Sequence, residues 1–149
     1  MYKHILISTD GSDVAQKGVD HGLSLAKALG AKVTIVTVTE RFPIYADVTG
    51  VGWVPGPTEV ADYQESQKKW ADGVLGRVKA AADKLGVETD LLHVPDEQPA
   101  EAIIETAKSR GCSLIAMSSH GRRGIGRLLL GSQTQEVLTH SPVPVLVVR

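Results

Sequence analysis

The chain has 149 residues, 42% of them hydrophobic and 22% charged, with a formal net charge of -1. That length suits one domain with a real core, and the near-zero charge excludes a global field drawing the chain to nucleic acid or a membrane surface. A single cysteine, Cys112, excludes an intramolecular disulfide or a multi-cysteine metal site and fits a reducing compartment.

The chain opens Met1-Tyr2-Lys3-His4-Ile5 without the long apolar core of a signal peptide, and no apolar run nears the ~20 residues of a bilayer span. A cytoplasmic location is the expectation. Ile5-Leu6-Ile7 reads as a short buried strand. From Ser12 to Leu29 the residues Ala15, Val19, Leu23, Ala26 and Leu29 recur at three- and four-residue steps, marking one helix face, and Gly30 ends it. Val33 to Val38 is rich in β-branched residues and predicts a second strand. Arg41 to Pro57, with three prolines, three glycines and Trp53, reads as a loop. A helix spans about Thr58 to Leu85, with Trp70, Val74, Val78, Ala81 and Leu85 in register and Gly86 after it. Glu88 to Val94 is a weaker third strand. Pro99 opens a helix with Ala100, Ile103, Ile104 and Ala107 as its buried stripe. Ser113 to Met117 is the fourth strand, Ser132 to about Thr139 a short helix, and Val143 to Val148 the last strand.

Strands alternating with helices imply a parallel sheet covered on both faces. The expected fold is α/β, a Rossmann-like three-layer sandwich with a five-stranded parallel sheet and about four helices, as one domain over residues 1–149. In such sheets ligands bind at the carboxyl ends of the strands, where strand order reverses. Three segments fall there: Ser8 to Ser12, Val38-Thr39-Glu40, and the stretch after Met117.

That last stretch runs Ser118-Ser119-His120-Gly121-Arg122-Arg123-Gly124-Ile125-Gly126-Arg127-Leu128-Leu129-Leu130-Gly131-Ser132. Glycine lets a backbone approach a ligand closely, arginine offers a planar fork of donors for phosphate, and a following helix start presents unpaired amides to an anion. A phosphate-bearing ligand is the first hypothesis. Two common phosphate motifs fail. A dinucleotide fingerprint from Gly124 meets Leu129 at its last glycine, and a P-loop from Gly126 has Ser132 where lysine belongs.

Gly121, nine residues, then Gly131-Ser132 is a third pattern. With Asp10-Gly11-Ser12 after the first strand, the His120-Gly121 pair and the closing Ser141-Pro142-Val143-Pro144-Val145-Leu146-Val147-Val148, the whole chain resembles the universal stress protein family, in its ATP-binding subgroup. One departure stands out: Ser118 occupies the place of that motif's first glycine. The resemblance implies a site for ATP or AMP, with Mg²⁺ as a possible companion. In it Asp10 lies at the ribose, the Val38 backbone meets the adenine edge, and Met117 flanks the nucleotide. Gly121 and Gly131 leave room for phosphates, and Ser132 donates to one. Ser12, Ser118, His120, Gln133, Arg122 and Arg123 complete the candidate set. No role is carried over for the arginines, Arg127 included.

Each residue also has a structural reading. Ser132 with Gln135 matches a capping box, Ser12 suits an N-cap, Asp10 suits a strand-to-helix turn, and Val38 and Met117 suit the core. His4, His21, His93 and His140 show no metal-ligand spacing, and His120 has no evident carboxylate partner for acid–base work. The residues supply no catalytic set and no metal site. The expected mode of action is therefore occupancy, with at most slow ATP hydrolysis. Occupancy would order loops that a regulatory protein partner reads. A nucleotide-free interaction module of the same fold is the alternative, favoured by Ser118. An ATP pyrophosphatase-type enzyme is disfavoured, because Ser8-Thr9-Asp10-Gly11-Ser12 stands where its Ser-Gly-Gly-type loop belongs. The apolar last strand would be hazardous as a bare edge, so a C2 homodimer through it is expected.

Overall fold

The structure is a computed structural model and describes residues 1–44, 52, 54–121 and 129–149. Among the described residues, strands β1 (His4–Ser8), β2 (Lys32–Val38), β3 (Thr89–Val94), β4 (Leu114–Ser118) and β5 (Val145–Val148) alternate with helices α1 (Asp13–Leu29), α2 (Pro57–Leu85), α3 (Pro99–Ser109) and α4 (Ser132–His140). All strand pairings are parallel, in the order β3-β2-β1-β4-β5. The expected α/β three-layer architecture is present. No described helix is long and apolar enough to cross a membrane.

Alternation along each strand builds the two apolar layers. Ile5, Ile7, Val33, Ile35, Leu114 and Ala116 face one way, onto Val19, Leu23 and Ala26 of α1 and Leu75, Val78 and Ala82 of α2. Leu6, Val36, Ile115 and Met117 face the other way, onto Ala100, Ile103 and Ala107 of α3 and Val137 of α4. Because both faces are covered, strand residues of either parity are apolar, as in Ile5-Leu6-Ile7.

Helix α1 lies close to the central strands because it carries glycine where they approach. A Cβ on Gly18 would sit 2.9 Å from the Ser118 amide nitrogen and 3.1 Å from the Met117 carbonyl carbon. One on Gly22 would sit 2.6 Å from the Ile7 Cδ1. The Ser12 hydroxyl accepts from the Ala15 amide at 3.1 Å, so Ser12 is the N-cap of α1.

Two local expectations need correction. The last strand begins at Val145, not Val143. The Val143 amide is turned back onto Ser141 Oγ at 3.2 Å, and Ser141 Oγ donates to the Val143 carbonyl at 2.7 Å. Pro144 has no N–H to offer a ladder. Nor is Ser132 the cap of the last helix: Gly131 holds that place without any side-chain bond, and Ser132 is the first helical residue. The Gln135 side chain instead donates to the Leu130 carbonyl at 3.2 Å, so no capping box forms.

The opposite, amino end of the sheet holds a buried polar pair. The His4 imidazole Nε2 lies 2.8 Å from Thr34 Oγ1, both residues being buried. Burial, then the nearby Lys32 charge, lowers the His4 pKa below its ordinary 6.5, and burial lowers that of His93. The unfolded chain takes up protons at these rings that the folded chain refuses. Stability is therefore full above pH 6.5 and falls as pH drops toward the lowered folded values. Urea unfolding between pH 7.5 and 5 should show this loss, and His4→Gln, which keeps a polar partner for Thr34, should flatten it.

Close packing makes a second prediction. Gly18→Ala drives a methyl into backbone atoms and should destabilise by about 1–3 kcal/mol. Gly76→Ala, at an exposed position of α2 where a Cβ meets nothing within 4 Å, should stabilise by roughly 0.5–1 kcal/mol through helix propensity. Thermal or urea unfolding of the two variants separates steric crowding from propensity.

Candidate functional site

Strand order reverses between β1 and β4, and a cavity of about 440 Å³ opens at the carboxyl ends of the strands there. It is walled by the three segments expected from the sequence. Asp10 comes from the end of β1, Val38, Thr39 and Glu40 from the end of β2, and Met117, Ser118, His120 and Gly121 from the end of β4. Gly131, Ser132 and Gln133 close the far side from the start of α4.

Backbone bonding fixes these ends. The ladder continues past the strands through Thr9 N–H to the Val36 carbonyl at 3.0 Å and Ser119 N–H to the Val148 carbonyl at 2.8 Å. The Thr37 hydroxyl donates to the Thr9 carbonyl. At β4 the chain leaves the sheet and is caught again by α4. The Gly131 amide donates to the Ser119 carbonyl at 2.8 Å. The buried Thr134 hydroxyl reaches the Ser118 and Ser119 carbonyls at 3.1 and 3.3 Å. This points the start of α4 at the cavity. No side chain caps that start, so the amides of its first turn stay available to an anion. The Ser132 side chain is exposed beside them.

Asp10 is half-buried, and its Oδ1 accepts from the Ser12 amide at 2.9 Å. Gly121 lies against the same carboxylate: a Cβ there would come 3.0 Å from Asp10 Oδ2. On Gly131 a Cβ would stand 3.3 Å from the Ser119 carbonyl oxygen. Both glycines therefore bring backbone to places where a side chain would be crowded. Val38 and Met117 serve twice, packing in the core below α3 and lining the cavity above it.

Other candidates are used within the protein. Ser12 does not line the cavity; its hydroxyl caps α1. Gln133 lines the cavity, but its Oε1 accepts from the Ala100 amide at 2.9 Å, which caps the start of α3. Ser118 Oγ donates to the His120 carbonyl at 2.6 Å. The His120 ring has Nδ1 2.8 Å from Ser119 Oγ, and its buried Nε2 has no partner among the described residues. Arg122, Arg123 and Arg127 lie outside the described residues. Asp10 and Glu40 are the carboxylates on the cavity wall, and among the described residues no group of three or more His, Cys, Asp or Glu could hold a metal ion.

The sequence reading missed Tyr63 and Gln67 of α2, Pro99 and Ile103 of α3, and Thr134, all of which line the cavity. The Tyr63 hydroxyl donates to the Glu40 carbonyl at 3.2 Å, and its ring meets Phe42 edge-on, with centroids 5.0 Å apart. A polar residue on the inward stripe of a helix longer than the strands was the available signal.

The model of the universal stress protein family matches residues 1–149. The chain belongs to that family. It is 33% identical over 150 residues to universal stress protein YxiE of Bacillus subtilis, covering 100% of both chains. It is 34% identical over 151 residues to universal stress protein MJ0531 of Methanocaldococcus jannaschii, covering 100% of this chain and 83% of that one. The solved structure of MJ0577 superposes with a TM-score of 0.79 at 27% identity, over 99% of this chain and 96% of that one. Two more distant structures share the fold. One is a universal stress protein in complex with cAMP, with a TM-score of 0.69 and 23% identity over 99% and 97% of the chains. The other, from Archaeoglobus fulgidus in complex with dAMP, has a TM-score of 0.64 and 17% identity over 99% and 98%.

The hold of α4 on β4 is open to test. Thr134→Val keeps the shape and removes the hydroxyl from two carbonyls. It should cost about 1–3 kcal/mol in urea unfolding.

Proposed function

We infer that the chain binds an adenine nucleotide, ATP or AMP, at the carboxyl ends of its parallel sheet and acts through regulated interaction rather than turnover. The observation that carries this reading is the uncapped start of α4, held by Gly131 and Thr134 against the end of β4 and aimed into a cavity lined by Gly121 and Gly131. Amides of a helix start bind phosphate without needing a cation, which suits a wall whose described charges are the carboxylates Asp10 and Glu40. The apolar Val38 and Met117 offer the other end of the cavity to a base, with Asp10 beside the sugar. Adenine nucleotides in the cAMP and dAMP complexes of the two distant relatives favour this ligand class.

Ser118, the departure from the family's glycine, is compatible with the reading. Its φ is not positive, so no glycine conformation is needed there, and its hydroxyl is bonded to the His120 carbonyl. The Ser119 hydroxyl lies 2.8 Å from His120 Nδ1, but Ser119 is only 3% exposed and does not line the cavity. That pair holds a turn and is not presented to a substrate. Where Mg²⁺ accompanies ATP, Asp10 and Glu40 are the carboxylates near enough to matter, and the ion would screen phosphate charge. Ligand occupancy then works by favouring one arrangement of the loops around the cavity, read by a regulatory protein. The lone, buried Cys112 is in keeping with a cytoplasmic setting.

Millimolar ATP or AMP should raise the melting temperature, since a ligand specific for the folded state stabilises it by RT ln(1 + [L]/Kd). Ser118→Gly should leave that shift nearly unchanged. No shift with ATP, ADP or AMP would overturn the reading in favour of a nucleotide-free interaction module.

We further propose a C2 homodimer through β5. This strand pairs with β4 along one side only and is the last in the sheet order, and Val145-Leu146-Val147-Val148 is apolar throughout. Pairing with the same strand of a second copy would cover that edge. Sedimentation equilibrium at micromolar concentration should give the dimer mass, and a monomer alone would overturn the proposal.

A further inference from the structure

Helix α2 has 29 residues, about 43 Å at 1.5 Å per residue. Strand β2, on which it packs, has 7, about 23 Å. The buried residues of the helix begin only at Ala71 and continue through Val74, Leu75, Val78 and Ala82. Its amino-terminal half therefore runs past the carboxyl edge of the sheet. The inward stripe of that half is half-buried and partly polar: Val60, Tyr63, Gln67 and Trp70.

This overhang is anchored on two sides. Tyr63 is bonded to the Glu40 carbonyl. Gln64 Nε2 donates to Asp96 Oδ2 at 3.2 Å, while Arg41 Nε donates to the Asp96 carbonyl at 2.9 Å. Asp96 itself takes a left-handed φ of 58° to offer both groups. The loops after β2 and β3 thus hold the helix turn from which Gln67 projects.

Gln67 lines the cavity and is half-buried, and its carboxamide has no hydrogen-bond partner among the described residues. A primary amide carries two donors and an acceptor, and here they stay open to the cavity for a ligand to meet. Helix α2 packs on β2 and β3, the side of the cavity that carries Val38, whereas α4 packs on α3 and β5. The end of the cavity that suits phosphate and the end that meets Gln67 are therefore different ends.

We propose that Gln67 is the residue by which this pocket selects its base, a role that rests on the nucleotide reading above. Its carboxamide accepts from the adenine amino group and donates to the adjacent ring nitrogen, the bidentate pattern that glutamine makes with adenine. Tyr63, one turn earlier, positions it through the Glu40 anchor. On that edge guanine presents two acceptors, O6 and N7, so the carboxamide oxygen meets no donor there.

Isothermal titration of the full chain with ATP and with GTP, in the presence of Mg²⁺, tests this. The wild type should bind ATP at least about tenfold more tightly than GTP, as one bidentate base contact allows. Gln67→Leu should bring the ratio near one while GTP affinity changes less than about threefold, because the phosphate end is untouched. Gln67→Glu, which sets an acceptor-only carboxylate against N7 of either base, should weaken the binding of both nucleotides. Tight ATP binding with the same ATP-to-GTP ratio in all three proteins would overturn the role of Gln67 alone. Absence of binding by the wild type to either nucleotide would overturn both this role and the nucleotide reading.

Discussion

Between β4 and α4 the chain leaves the sheet for a long excursion and must return to a defined place. Two contacts set that place. The Gly131 amide bonds the Ser119 carbonyl, and the buried Thr134 hydroxyl bridges the carbonyls of Ser118 and Ser119. Once α4 is fixed, its uncapped amides face the cavity, Gly121 falls against Asp10, and Gln133 reaches across to cap α3. The start of one helix thereby becomes the reference point for another helix and for the loop.

The two helix starts beside β1 and β4 are treated in opposite ways. At α1 the Ser12 hydroxyl bonds the Ala15 amide and Asp10 bonds the Ser12 amide. That end is closed on itself. At α4 the cap is glycine and the first-turn amides stay open, ready as donors for an anion. The proposed nucleotide would place its phosphate at α4, where the donors are. That placement explains why the described wall can be acidic and still suit a phosphate ester.

Periodicity made the fold legible. The alternation of Ile5-Leu6-Ile7 and the β-branched run at β2 gave the buried parallel strands, and the Gly30 and Gly86 stops gave the helix ends. Finer features depended on where a side chain turned. Ser132 and Gln135 satisfy the capping pattern, but Gly131 already fills the cap position, so Gln135 bonds Leu130 instead. Val143 belongs to an apolar run, yet the neighbouring Ser141 and Pro144 take it out of the ladder. Gln133 was singled out for its place beside Ser132, while its amide oxygen serves α3. Near neighbours decide the first two and a contact with a distant segment decides the third, and periodicity carries no trace of any of them.

Ser118 shows how a motif departure is absorbed. Glycine at that position is required only if the backbone is left-handed or if a hydroxymethyl group would project into the ligand. The first condition does not hold, since the φ is not positive, and the hydroxyl at the cavity wall is bonded to the His120 carbonyl at 2.6 Å, within its own turn. The constraint of close approach applies elsewhere, at Gly18 beneath it, where a methyl group would strike the Ser118 amide and the Met117 carbonyl carbon. The tight glycine contact below the strand is what keeps the end of β4 in place.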